Sequence, residues 1–105
     1  MYLHHTWIHL QPEHRDEYVT LLVAEVRLAR QQEPGIKRFD ILQNLADPNL
    51  IHLVEVYTGK AAWEHHRYQP YLTEFAEKTQ HCYAATPPTR FSEARNLEPL
   101  DHEWE

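Results

Sequence analysis

Residues 33–66 read EPGIKRFDILQNLADPNLIHLVEVYTGKAAWEHH. Glu33-Pro34-Gly35 is a breaker: the residue before a proline avoids the helical region, and Gly35 supplies any positive φ that the turn needs. Ile36–Gln43 and Leu50–Tyr57 are strand-like runs, and Asp47-Pro48-Asn49 reverses the chain between them. Gly59 then leads into a helix carrying Trp63, His65 and His66. In the first strand, alternation puts Ile36, Arg38, Asp40 and Leu42 on one face and Lys37, Phe39, Ile41 and Gln43 on the other. The second strand is apolar on both faces, with Leu50, Val54 and Val56 on one and Ile51 and Leu53 on the other. A half-exposed antiparallel strand alternates apolar and polar residues. Here the chain's own helices can cover one face, and the other calls for a partner subunit.

Working outward, residues 2–10 alternate as a strand, with Tyr2, Thr6, Ile8 and Leu10 on one face and Leu3, His5, Trp7 and His9 on the other. Residues 13–31 form the best helical pattern. Glu13, Asp16 and Glu17 crowd its start, and Arg27 and Arg30 lie near its end, which complements the helix dipole. Tyr18, Leu21, Leu22, Glu25 and Leu28/Ala29 give a stripe at helical spacing, broad enough to need a sheet beneath it. Residues 60–68 and 71–82 read as two helices separated at Pro70, with Tyr71 and Phe75 on one face of the second. Thr89–Ala94 makes a final strand, placed at an edge by the neighbouring Pro87-Pro88. The order β-α-β-β-α-(α)-β predicts an α+β, ferredoxin-like antiparallel sheet with helices on one face. Residues 1–95 make the domain, and 96–105 are an acidic tail or a dimer arm anchored by Leu97, Leu100 and Trp104.

The chain has 105 residues and a formal net charge of −6, which is one domain. An acidic protein is poorly suited to displace counterions from nucleic acid or to sit on an anionic membrane. Two glycines are too few for a phosphate-cradling loop. No stretch has the length of an apolar membrane span, and the first ten residues lack the basic and apolar blocks of a signal peptide. The single cysteine, Cys82, excludes an internal disulfide and fits a reducing cytoplasm. The nine histidines are scattered. His4 and His5 face opposite ways on a strand, His5 and His9 stand roughly 13 Å apart along it, and His65 and His66 diverge by roughly 100° on a helix. No HExxH occurs, so no metal site is expected from these spacings.

The run Glu33-Pro34-Gly35 to Gln43, then His52 to Tyr57, then Ala62-x-x-x-His66 and Pro70, resembles the antibiotic biosynthesis monooxygenase family. Pro12 to Tyr18 looks like the start of that family's first helix, and the resemblance covers about residues 2–80. It implies that two protomers pair their sheets into a dimeric α/β barrel. It implies a small-molecule substrate and cofactor-independent oxygenation of a quinol, a small aromatic or a polyketide-like phenol, with no metal or other cofactor. The family also contains an isomerase of a phosphorylated sugar signal, so isomerisation in the same pocket is one alternative. A non-catalytic small-molecule-binding module is another, because fold alone does not assign chemistry. One departure stands out. Many members place a histidine directly after the proline that follows the helix, and this chain has Tyr71.

Such an oxygenation needs a base for the substrate hydroxyl, donors for the resulting oxyanion and a dry aromatic pocket. His66 is the candidate base or oxyanion partner, because imidazole titrates near neutrality; it is also the residue the resemblance carries over. Trp63, one helical turn earlier, is either an aromatic wall or core packing. Tyr71 and Phe75 extend that choice, with the Tyr71 hydroxyl as a donor. Glu55 lies among apolar strand residues and must be paired or protonated if covered. Arg38 is its possible partner across the hairpin, and both are candidate substrate contacts.

Overall fold

A computed structural model describes residues 1–103 of the chain. Its strands are β1 (Tyr2–His9), β2 (Ile36–Gln43), β3 (Leu50–Tyr57) and β4 (Arg90–Arg95). Its helices are α1 (Arg15–Gln32), α2 (Lys60–Arg67) and α3 (Pro70–Thr79). The strands form one antiparallel sheet in the order β2-β3-β1-β4, the ferredoxin-like arrangement. The expected order of elements is therefore realised, with β4 at an edge beside β1 and exposed throughout.

Alternation decides which side chains meet the helices. In β1, Tyr2, His4, Thr6 and Ile8 are buried beneath them, while Leu3, His5, Trp7 and His9 on the opposite face are half-buried. In α1, Tyr18, Leu22, Glu25, Val26 and Ala29 are buried, so the stripe turns slightly from the expected one and leaves Leu21 and Leu28 at its margin. Ile8, Leu22, Phe39, Ile51, Leu53 and Phe75 meet at the centre of the core.

The β2–β3 turn is built from side chains. Asn44 Oδ1 accepts hydrogen bonds from the backbone N–H of Ala46 and of Asp47, both at 2.9 Å, and Asp47 Oδ1 accepts one from Asn49 N–H at 3.0 Å. These bonds satisfy a reversal that needs no residue with positive φ. At the other end of β2 a bulge interrupts the ladder: Ile36 pairs with Tyr57 and Arg38 with Val56, leaving Lys37 as the extra residue. The bulge corrects strict alternation. Ile36 joins Phe39 and Ile41 against the core instead of sharing a face with Arg38.

Gly35 also departs from expectation, because no glycine among the described residues has a positive φ. Its role is close approach. A Cβ there would lie 2.6 Å from the Cβ of Ala62, where α2 packs on the turn. Pro70 is the first residue of α3, where its missing N–H costs nothing. That helix ends at Thr79, whose hydroxyl donates to the Phe75 carbonyl at 2.8 Å, and Gln80–Cys82 continue as a 3₁₀ turn. In the tail, Leu97 and Leu100 are exposed, and Asp101 Oδ1 lies 2.5 Å from the Met1 nitrogen. Trp104 lies outside the described residues.

Gly35→Ala is therefore expected to destabilise the fold by about 1–3 kcal/mol through overpacking. Adding Ala62→Gly removes the opposing Cβ. Urea unfolding of the two single variants and the double variant should show a favourable coupling in the double; strictly additive losses would show that the 2.6 Å contact is not the cause.

Candidate active site

Between the helix-covered face of the sheet and the three helices lies a cavity of about 520 Å³. Thr6, Ile8 and Leu53 floor it, α1 contributes Tyr18, Leu22 and Glu25, and α2 contributes Trp63, His66 and Arg67. Leu72 and Phe75 close the α3 side, and Phe91 and Glu93 stand on the β4 rim. That volume suits a ligand of one or a few rings, and the mixture of apolar wall and few polar groups is that of a small-molecule site.

Two polar groupings border the cavity, one reaching it through His66 and Glu25 and the other through His4 and Glu55. In the first, His66 Nδ1 lies 2.8 Å from Glu33 Oε2, and the Tyr71 hydroxyl donates to the same oxygen. Glu33 is held in place because its backbone N–H donates to the Ala29 carbonyl at 2.8 Å, closing the end of α1. The other imidazole nitrogen, His66 Nε2, faces Glu25 Oε1 at 3.8 Å, beyond hydrogen-bond reach. Glu25 Oε1 is buried with no hydrogen-bond partner among the described residues. Burial is the main force raising the Glu25 pKa, to about 7; His66 opposes the rise, and the charges of Glu55 and Glu33 add to it. A carboxyl group tuned to neutrality and lacking a partner can take or give a proton at the cavity wall.

In the second grouping, Glu55 Oε1 accepts from the Tyr57 hydroxyl at 2.5 Å, and Glu55 Oε2 lies 3.3 Å from His4 Nδ1. Burial first, and then the Glu55 charge, hold the Tyr57 phenol well above its ordinary pKa, so it stays a donor. The indole of Trp63 stacks on the His4 ring at 5.0 Å between centroids and lies against Tyr2 at 5.4 Å. The Arg67 guanidinium sits 4.7 Å over the same indole, at the cavity's edge. At the far end Tyr18 meets Phe75 edge to face at 5.3 Å, and its hydroxyl lies 3.3 Å from that of Tyr83.

Of the residues singled out in the sequence, the fold brings His66, Trp63, Phe75 and Glu55 to this cavity. Tyr71 stands behind the wall, where its hydroxyl supports Glu33 and its ring lines a separate shallow groove with Leu21 and Leu28. Arg38 lies on the opposite face of the sheet and pairs with Asp40 at 2.9 Å. It does not reach Glu55, because the neighbour of Glu55 across the hairpin is Phe39. Glu25, Glu33 and His4 are the residues that sequence reasoning missed. Glu25 had a visible signal, a carboxylate inside an otherwise apolar helical stripe. His4 had the strand alternation that buries it, and Glu33 was read only as a breaker.

The model of the antibiotic biosynthesis monooxygenase family matches residues 1–78, and the chain belongs to that family. The match includes both polar groupings and stops short of β4. An uncharacterized protein of Synechocystis is 28% identical over 72 residues, which are 69% of this chain and 48% of that protein. The chain thus spans about half the length of that relative. Among solved structures, a provisionally assigned antibiotic biosynthesis monooxygenase of Nitrosomonas europaea aligns with a TM-score of 0.85 at 21% identity, covering 92% of this chain and 99% of that one. The protein Rv0793 of Mycobacterium tuberculosis aligns with a TM-score of 0.80 at 20% identity, covering 92% and 95%. At such identities the structural likeness shows a shared fold.

The raised pKa of Glu25 makes a stability prediction. The folded state holds this proton up to about pH 7, while the unfolded chain releases it near the ordinary value of 4.5. Because the unfolded state binds fewer protons across that window, the contribution of Glu25 falls as pH rises, by roughly 3 kcal/mol in all. Glu25→Gln should remove this slope. Urea unfolding at pH 5 and pH 7.5 checks it: the variant should gain stability relative to the parent at the higher pH.

Proposed function

We propose that this protein is a cofactor-independent monooxygenase that oxidises a small phenol or quinol inside the cavity, and that it works as a homodimer. The observation that carries the reading is Glu25, a buried carboxyl whose Oε1 has no hydrogen-bond partner among the described residues, beside His66 in an aromatic-walled cavity. Glu25 accepts the substrate hydroxyl proton, leaving an electron-rich oxyanion on the ring. Glu33 and Tyr71 fix the His66 ring, which donates to the developing charge on oxygen. The substrate supplies the electrons: a quinol and dioxygen give a hydroxylated quinone and water, so the balance needs no added reductant. Trp63, Phe75 and Phe91 hold the ring and exclude water.

Charge argues against the isomerase alternative. Glu25, Glu55 and Glu93 line the cavity against the single guanidinium of Arg67. A phosphorylated sugar would meet more negative than positive charge there. An open cavity of this size also speaks against a site filled in by packing. Dimerisation is supported by the sheet face away from the helices, where Leu3, Trp7, His52 and Val54 are half-buried rather than fully covered. A second sheet is the natural cover for such a surface.

Oxygen uptake with a panel of quinols and polyphenols tests the activity. Uptake is expected without added flavin or metal, and its rate should rise with pH through about 7 as Glu25 ionises. Glu25→Gln and His66→Gln should each lower kcat by about 10²-fold or more. A panel without uptake would overturn the oxygenase reading, and full activity in both variants would move the chemistry elsewhere. Light scattering after chromatography tests the dimer: Val54→Glu should yield monomers if this face pairs, and an unchanged mass would exclude it.

A further inference from the structure

We propose that His14, Glu17 and His81 form a binding site for a divalent transition metal of the zinc class, clamping the start of α1 to the turn that follows α3. His14 ends the 3₁₀ turn before α1, and Glu17 lies three residues on, in the first turn of the helix. His81 arrives from the turn Gln80–Cys82, 64 residues after Glu17. One ligand-type atom from each side chain lies within 4.8 Å of the other two. His81 Nε2 is 3.0 and 3.1 Å from the two Glu17 oxygens, and His14 Nδ1 is 3.5 Å from Glu17 Oε1. The two imidazole rings meet edge to face at 4.7 Å. Tetrahedral bonds of about 2.0 Å place ligand atoms roughly 3.3 Å apart. The carboxylate is therefore already at ligand spacing from both rings, and a small rotation of partly exposed side chains completes the set.

The main chain builds this approach. The Gln11 backbone N–H donates to the Cys82 carbonyl at 2.8 Å, and its side-chain amide donates to the carbonyls of His81 and Tyr83 at 3.0 and 3.1 Å. The His14 N–H in turn donates to the Gln11 carbonyl at 3.0 Å. Gln11 thus staples together the two turns that carry the histidines. Two imidazoles and one carboxylate are the donor set of zinc, cobalt, nickel or copper; calcium and magnesium need more oxygen ligands. The site is separate from the cavity chemistry but adjoins its far wall. Tyr18 follows Glu17 directly, Tyr83 lies two residues after His81, and both line the cavity. A bound metal would fix the spacing of that wall.

The test is calorimetric titration of chelator-treated protein with zinc chloride and, separately, calcium chloride, with thermal melts of each mixture. One equivalent of zinc is expected to bind and raise Tm, while calcium leaves both unchanged. His81→Ala and Glu17→Gln, with far-ultraviolet circular dichroism to confirm folding, should weaken zinc binding by about tenfold or more. His65→Ala, at an exposed position of α2, should bind as the parent does. Absence of saturable zinc binding would overturn the proposal. So would unweakened, parental affinity in both ligand variants, since the metal would then reside on other histidines.

Discussion

Everything around the cavity depends on placing carboxylates beneath helices. Glu33 closes the end of α1 and sits almost fully buried, where an isolated charge would be prohibitively desolvated. Its Oε2 meets His66 from α2 and accepts from Tyr71 of α3, which ties three helices together at one oxygen, while its Oε1 is buried without a hydrogen-bond partner among the described residues. Breaking such a node by removing one partner strands a buried charge, which typically costs more than the pairing itself contributes. The helices that wall the cavity are thus registered by a polar contact rather than by apolar packing alone.

The same constraint separates the roles of the buried acids. Glu55 has two partners, Tyr57 and His4, and is structurally committed. Glu33 has two, His66 and Tyr71. Glu25 and Glu33 each leave one oxygen without a hydrogen bond among the described residues, and Glu25 differs in that burial, with the neighbouring charges of Glu55 and Glu33, raises its pKa. The fold thus sets two carboxylates paired with buried side chains beside a third whose pKa is raised.

Much of the fold was legible because it rests on local chemistry. Alternation in β1 and β3, the acidic start of α1, the Asp47-Pro48-Asn49 reversal and the break at Glu33-Pro34-Gly35 each specify structure within a few residues. Where local rules failed, a longer-range contact had intervened. The bulge at Lys37 returns Ile36 to the core against strict alternation. Gly35 is required by the Cβ of Ala62, which arrives from a helix 27 residues later in numbering, and not by its own φ. Half of the site was readable in the same way: His66 and Trp63 share a helical face, and Phe75 follows from its own helix.

The sequence by itself determined the order of elements, the faces of β1 and β3, the position of β4 at an edge and the helical face that carries Trp63 and His66. Periodicity and backbone restrictions act between near neighbours, so they are written into short stretches. Only the tertiary structure decided what His66 touches. It joined His66 to Glu33 and Tyr71, aimed Glu25 at its other nitrogen, paired Glu55 with His4 rather than Arg38, and set His81 beside His14 and Glu17. Those partners come together through sheet register and helix docking, and a hydrogen bond between elements forms or fails over about an ångström. No local pattern in the chain encodes position that finely.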